Sequence, residues 1–205
     1  LPKAAETDHD PVAVLDACVL FPASLRDTLL RLAETPRQYT PKWSDQILEE
    51  VTRNLVRRRN LAPEKIAHLI GQIENHFPEA RITGYRKLVD TMTNDPKDRH
   101  VLAAAVHSGA QTIVTFNLKD FPADSLSEWG IKARHPDDFL IELLSHDPEP
   151  VFRKLRDQAA TIDRTVPALL QTLRTGVPRF AADVALRLGL DIATTEDSQV
   201  KPETT

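Results

Sequence analysis

This 205-residue sequence predicts an α/β domain with a mostly parallel central sheet, followed by a helical extension. Three observations carry that reading. Short apolar, β-type runs alternate with longer stretches of helical spacing, the pattern of a parallel sheet covered by helices. A break falls at His146-Asp147-Pro148-Glu149-Pro150, and no β-type run occurs between it and Leu190. Acidic residues far apart in the chain recur at the ends of predicted strands and near the starts of predicted helices, where such a fold gathers its ligands.

The elements follow in order. Strands are predicted over 12–17, 38–41, 80–83 and 111–116, with a weaker one over 131–134. Helices are predicted over roughly 25–34, 44–59, 63–76, 97–108 and 136–145. The best-bounded helix opens at Asp95-Pro96, with aspartate as the cap and proline at the first helical position. It closes at Gly109, a residue suited to the left-handed turn after a helix. Residues 147–190 read as two or three short helices interrupted at Pro167 and Pro178, packed on an α/β domain of residues 11–146. Residues 1–10 and 194–205 lack apolar periodicity and are expected to be flexible.

Composition narrows the classes. A hydrophobic content of 41% supports a real core, and the formal net charge of −4 announces no overall basic field. Local basic clusters can still bind phosphate on an acidic protein. No stretch nears the roughly 18 apolar residues of a membrane span. The first ten residues lack the apolar core of a signal peptide. Cys18 is the only cysteine, so no internal disulfide can form. The expected location is the cytoplasm.

The acids carry the chemistry. Asp16 closes the apolar run Val12-Ala13-Val14-Leu15, and Asp120 follows the run Thr112–Phe116 on a loop; both lie at the carboxyl ends of predicted strands. On the 44–59 helix, Ile47, Leu48, Val51 and Leu55 form the buried stripe. Glu50 flanks that stripe with Asn54 and Arg57, whereas Glu49 points nearly opposite, toward solvent. Asp95 and Asp98 both suit the start of a helix, Asp95 as its cap and Asp98 at the third position. Asp98 also begins the helix whose inner face is Val101, Leu102, Ala105 and Val106. Two unit charges about 4 Å apart repel by roughly 4 kcal/mol at an effective dielectric near 20. Converging carboxylates therefore call for a cation, and carboxylates around a divalent metal are a means of phosphodiester chemistry.

Other chemistries fit less well. His100 and His107 share a helix face but stand about 10 Å apart along it, too far to ligate one zinc ion. His68 and His76 meet the same objection. Six glycines never cluster into a phosphate-cradling loop. Cys18 reads as a small core residue rather than a nucleophile. The run Arg53-Asn54-Leu55-Val56-Arg57-Arg58-Arg59 is either a solvated helix end or a phosphate track beside the acids, with Arg53, Arg57 and Arg58 as candidate phosphate contacts. Trp43 can stack on a base or pack in the core.

These motifs, taken in order, resemble those of PIN-domain ribonucleases. Leu15-Asp16-Ala17-Cys18-Val19-Leu20 is similar to the family's opening motif. Ser44-Asp45-Gln46-Ile47-Leu48-Glu49-Glu50-Val51 resembles the helix with its second acid, which maps to Glu50. Asp95-Pro96-Lys97-Asp98-Arg99-His100-Val101-Leu102-Ala103 matches its third motif, with the acid at Asp98. Thr115-Phe116-Asn117-Leu118-Lys119-Asp120-Phe121 is similar to a strand-end motif that normally reads Thr-x-Asp; here Asn117 stands where the aspartate is usual, and Asp120 can supply the charge. The resemblance covers about residues 11–145 and implies a PIN-like α/β/α sandwich. It implies Mg²⁺- or Mn²⁺-dependent RNA hydrolysis with Asp16, Glu50, Asp98 and Asp120 as catalytic acids, Asn117 joining them as a metal ligand. It further implies the VapC toxin of a type II toxin–antitoxin pair, in the longer form with a helical extension, whose partners are RNA and a cognate antitoxin protein, with a homodimer also open. Two alternatives stay open: an RNA-processing or DNA nuclease on the same fold, and a catalytically silent PIN-like binding module.

Overall fold

A computed structural model describes residues 10–192. The expected flexible tail, and the expected flexible arm apart from Asp10, lie outside the described residues. The elements run β1 (Val12–Leu15), α1 (Ala17–Leu20), α2 (Ala23–Ala33), β2 (Thr40–Ser44), α3 (Asp45–Arg59), α4 (Pro63–His76), β3 (Arg81–Ile82), α5 (Arg99–Ser108), β4 (Thr112–Val114), α6 (Ala123–Ser127), β5 (Lys132–Arg134), α7 (Pro136–His146), α8 (Pro148–Thr161), α9 (Val166–Leu173) and α10 (Pro178–Leu188). The strands form one sheet in the order β3-β2-β1-β4-β5, and every pairing is parallel. Helices flank it, as expected for an α/β/α sandwich.

Strand order sets where a site can lie. The chain winds from β1 outward through β2 to β3, then returns to the other side of β1 with β4. The reversal therefore falls between β1 and β4, whose last residues Leu15 and Val114 are in register. The residues that follow, Asp16 and Thr115, are released beyond the carboxyl ends of the strands at that switch point. Val14, Leu15, Ile113 and Val114 are fully buried, so the floor beneath the site is rigid and apolar.

Two expectations need correction. The second strand begins two residues later and ends three residues later, over Thr40–Ser44, with Pro41 inside it. Proline cannot donate to a ladder. The strand tolerates it because β3 pairs only with Trp43 and Ser44, so that flank of the strand has no ladder at Pro41. Helix α5 begins at Arg99 rather than Pro96. Asp95 Oδ1 accepts the Lys97 backbone N–H at 3.1 Å, and its carbonyl accepts from Asp98 N at 2.9 Å, a local turn that competes with the helix. Asp98, not Asp95, becomes the cap residue, and its carboxylate makes no capping bond. Gly109 does end the helix, in the left-handed conformation at φ 67°. Of the two readings of Trp43, packing holds: it is fully buried edge-on to Phe77 at 5.9 Å and offers no face to a base.

The region beyond the break forms three helices, each with a proline in its first turn. It shares the core of the α/β region. Helix α8 packs on α2 and α7, and α10 on α7 and α9, burying Val151, Phe152, Leu155, Leu169, Leu170 and Phe180. Thr28 of α2 and Gln158 of α8 add a buried hydrogen bond of 2.7 Å across that contact.

Candidate active site

Asp16 leaves β1 in extended conformation and is almost wholly buried. Its Oδ2 accepts the Thr115 hydroxyl at 2.6 Å and the Cys18 thiol at 3.0 Å. Thr115 Oγ1 in turn accepts the Asn117 backbone N–H at 3.0 Å. A short hydrogen-bonded chain thus joins the end of β1 to the end of β4 and fixes the Asp16 carboxylate. Cys18 is no nucleophile. Burial first, and then the Asp16 charge, pushes its thiol up to about 12. Its Sγ also accepts the Phe116 N–H at 3.2 Å, so it acts as a wedge between the two strand ends.

Helix α3 brings Glu50 to the same place. Ser44 caps this helix by accepting from Ile47 N, and Ile47, Leu48, Val51 and Leu55 form its buried stripe as expected. Glu50 lies on the flank of the stripe, with its side chain 23% exposed, while Glu49 is solvated. Glu50 Oε1 stands 3.1 Å from Nε2 of the buried His100 and 3.5 Å from Arg53. The His100 contact is close but lacks hydrogen-bonding alignment, since neither ring nitrogen has a bonded partner.

Asp98 completes the group from the start of α5. It is 7% exposed, and its Oδ2 is buried with no hydrogen-bond partner. Burial, and next the charge of Asp16, raise this carboxyl to about 7, with Asp120 adding to the rise and Lys97 opposing it. Lys97 Nζ lies 3.1 Å from Asp120, 3.8 Å from Asp98 and 4.0 Å from Asp95, a cation set among three acids. The hydrogen bond to Asp120 holds the Lys97 ammonium above its ordinary range.

Asp16, Glu50, Asp98 and Asn117 line one cavity of about 660 Å³. Arg53, Arg57 and Arg58 line it too, along the exposed side of α3. Asp120 is placed differently. It is buried behind Lys97 and is not part of the cavity wall, so Asn117, beside Phe116, is the polar residue of the Thr115–Asp120 segment that lines the opening. Sequence reasoning missed Thr115, Lys97 and His100 as neighbours of the acids. All three lie inside the motifs themselves, and that placement is the signal that could have found them.

The residues fit a divalent cation by chemistry and by one defect. Among the described residues, no three His, Cys, Asp or Glu side chains already form a metal cage. The donors around the cavity are nevertheless oxygens, the ligands that hard divalent ions take. A buried carboxylate oxygen without a donor is costly, and the Asp98 Oδ2 atom is such an oxygen: the Lys97 ammonium, 3.8 Å away, is too far to donate to it, and a bound cation would satisfy it.

The raised Asp98 carboxyl has a consequence for the metal-free protein. A folded-state value near 7 against an ordinary 3.8 means that the folded form binds this proton more tightly. Its contribution to stability is full below about pH 3.8 and is lost as pH rises through about 7. Asp98→Asn should accordingly raise the melting temperature in chelator at pH 8 and change it far less at pH 4. An equal shift at both pH values, or a fall at pH 8, would show that Asp98 is not held in this way.

An all-parallel α/β sheet with carboxylates gathered at its switch point is the architecture of a PIN domain, and the PIN-domain family model matches residues 12–119. The chain belongs to that family. A second family model, the VapC50 C-terminal domain, matches residues 136–185 and so covers α7 through most of α10. The chain is also 46% identical over 111 residues to a protein of Mycobacterium tuberculosis (strain ATCC 25618 / H37Rv) provisionally named ribonuclease VapC50. That match takes in 53% of this chain and 66% of the relative, just under two thirds of its length. No solved structure matches the chain significantly.

Proposed function

We propose that this chain is a metal-dependent endoribonuclease that hydrolyses RNA phosphodiester bonds, and that it is the toxin of a type II toxin–antitoxin pair. The observation that carries the reading is the convergence of Asp16, Glu50 and Asp98, from three separate elements, on one cavity with an orphaned carboxylate oxygen. Membership of the PIN-domain family and the likeness to a protein named as a VapC ribonuclease support it. Residues 11–146 are the nuclease region and 147–190 the helical extension in this reading.

Asp16, Glu50 and Asp98, with Asn117 beside them, would hold Mg²⁺ or Mn²⁺. Such an ion, when bound, lowers the pKa of a water and stabilises charge on the leaving oxygen. The chain's own residues do the rest. Thr115 and Cys18 hold Asp16 in place, and His100 walls in Glu50 on the side away from solvent. Asp120 positions Lys97 against Asp98 and acts through it. Arg53, Arg57 and Arg58 present cations to the RNA backbone along the cavity edge, where phosphate contacts set register rather than sequence. RNA, a cognate antitoxin protein and a second copy of the chain are the partners of this reading, and the cytoplasm is its compartment. Among the described residues no helix is long and apolar enough to cross a membrane.

The test is cleavage of labelled RNA with Mg²⁺, with Mn²⁺ and with excess EDTA, using Asp16→Asn as control. Cleavage should need the metal and fail in chelator; undiminished cleavage in EDTA would sink the mechanism. The folded protein should also melt higher with metal, by RT ln(1 + [L]/Kd), roughly 2.7 kcal/mol at a hundredfold excess over Kd. Asn117 in the cavity wall, where an aspartate is usual, favours a silent binding module as the second reading. RNA binding without cleavage under any of these conditions would select it.

A further inference from the structure

The cavity of the carboxylates is not closed on the side of the extension. At Phe21, Pro22 and Phe116, which line both, it adjoins a second cleft of about 650 Å³. The floor of this cleft is aliphatic: Leu25 and Leu55 from the α/β region and Leu173 from α9 are buried there. Its far wall belongs to the extension and carries the exposed Thr172 and Thr175. Its rim is basic. The exposed Arg59 lines it, and the Arg58 and Arg59 guanidinium groups lie over the Phe21 ring, 6.0 and 5.5 Å from its centre, while Arg26 lines it with its guanidinium donating to the Leu20 and Phe21 carbonyls.

Gly176 explains how the extension comes so near. A Cβ at this position would stand 3.2 Å from Phe116 Cζ, closer than an ordinary contact, so only glycine lets the turn after α9 approach that ring without displacing it. His135 also packs against Phe116, edge-on at 5.1 Å. The cleft is therefore built jointly by both parts of the chain, with an aromatic ring at the boundary between it and the acids.

An aromatic and aliphatic slot beside a cationic rim suits a nucleobase, whose faces are apolar and whose backbone phosphates are anionic. We infer that the cleft between Phe21, Phe116 and the turn after α9 holds one unstacked base of the RNA, next to the phosphodiester presented to Asp16, Glu50 and Asp98. The inference rests on the endoribonuclease reading and deepens it: the extension helps to choose which nucleotide is cut. A peptide segment is the other occupant such a slot could take. The shared wall with the carboxylate cavity and the arginines at the rim favour nucleic acid.

Two cleft-filling variants and abasic RNA test it. Thr172→Trp and Thr175→Trp each insert a ring from the extension, one from α9 and one from the turn, at positions outside the carboxylate cavity. A set of RNA oligonucleotides carries one abasic site at each position around the cleavage point. The wild-type chain should lose about tenfold or more in kcat/KM at a single abasic position. Each folded Trp variant should lose a similar factor on intact RNA and cleave that one abasic RNA as well as the wild type does. Equal cleavage of every abasic RNA by the wild type, or full activity of both Trp variants on intact RNA, overturns the inference.

A second measurement separates this result from the parent reading. RNA with 2-aminopurine at each position in turn is bound to the wild-type chain in EDTA. Fluorescence that changes at one position, and no longer changes in Thr172→Trp or Thr175→Trp, supports the base site even if no RNA is cleaved under any metal. In that case the nuclease reading alone fails. No change at any position overturns the base site.

Discussion

Glu50→Gln should remove most metal-dependent RNA cleavage, whereas Glu49→Gln, one residue away, should leave it almost unchanged. The contrast follows from the phase of α3. Its buried stripe turns Glu50 into the cavity beside His100 and leaves Glu49 in solvent. Glutamine preserves the shape and the packing but removes the negative charge a cation needs. The loss in kcat should be at least the roughly hundredfold that removal of an outer-shell partner can cost at a metal site. In metal-free buffer the Glu50→Gln protein should melt no lower than the wild type, because like charges around the cavity are relieved. Glu49→Gln should change stability by no more than about 0.5 kcal/mol. Cleavage rates in Mg²⁺, together with melting curves in chelator, decide the matter. An inactive Glu49→Gln beside a fully active Glu50→Gln would refute both the helix phase and the placement of the site.

Asp137→Ala should be the most destabilising single change outside the apolar core, by about 3 kcal/mol or more. Helix α10 needs acceptors for its first N–H groups, and its cap residue Val177 has no side-chain oxygen to offer. Asp137, buried near the start of α7, takes over that task. Its Oδ1 accepts from Phe180 N at 2.8 Å and its Oδ2 from Arg179 N at 3.2 Å. Alanine would leave both donors without their acceptor, one of them in the bond buried at Phe180. The neighbouring pair Asp138–Arg179, although only 2.6 Å apart, is exposed. Asp138→Ala should therefore cost no more than about 1 kcal/mol. Urea denaturation of the two variants measures the difference; equal midpoints would mean that the carboxylate of Asp137 is not what anchors α10.

Much of this arrangement was legible before any coordinates. The alternation of apolar runs and helical spacing places all five strands within a few residues, because each is short and bounded by turn residues and the inner ones are largely buried. Asp16, Glu50 and Asp98 were legible as a group, since two lie at element ends facing the switch point and the third lies on a readable helix flank; the fourth position stayed open between Asn117 and Asp120, and of these two it is Asn117 that lines the cavity. Asp95 and Asp98 exchanged roles because a local Asx-type turn competes with capping over only three residues, a balance that spacing does not reveal. Contacts across long separations were beyond reach. The bond from Thr115 to Asp16 spans 99 residues and that from Phe180 to Asp137 spans 43. Nothing in Val177 signals that its helix borrows a cap from another. Asp120 stood at the right end of the right strand, yet a 3₁₀ turn over Leu118–Asp120 carries it behind Lys97.

The two outer strands of the sheet, β3 and β5, contain only two and three residues. An outer strand displays unpaired backbone groups, and its length limits how much foreign chain it can recruit. With so little backbone on offer, neither edge of this sheet can template an extended strand from another molecule. Fibril growth through the native sheet is disfavoured, and so is recognition by strand addition. A protein that binds this fold, a second copy included, is to be met on its helices and loops rather than along a strand edge.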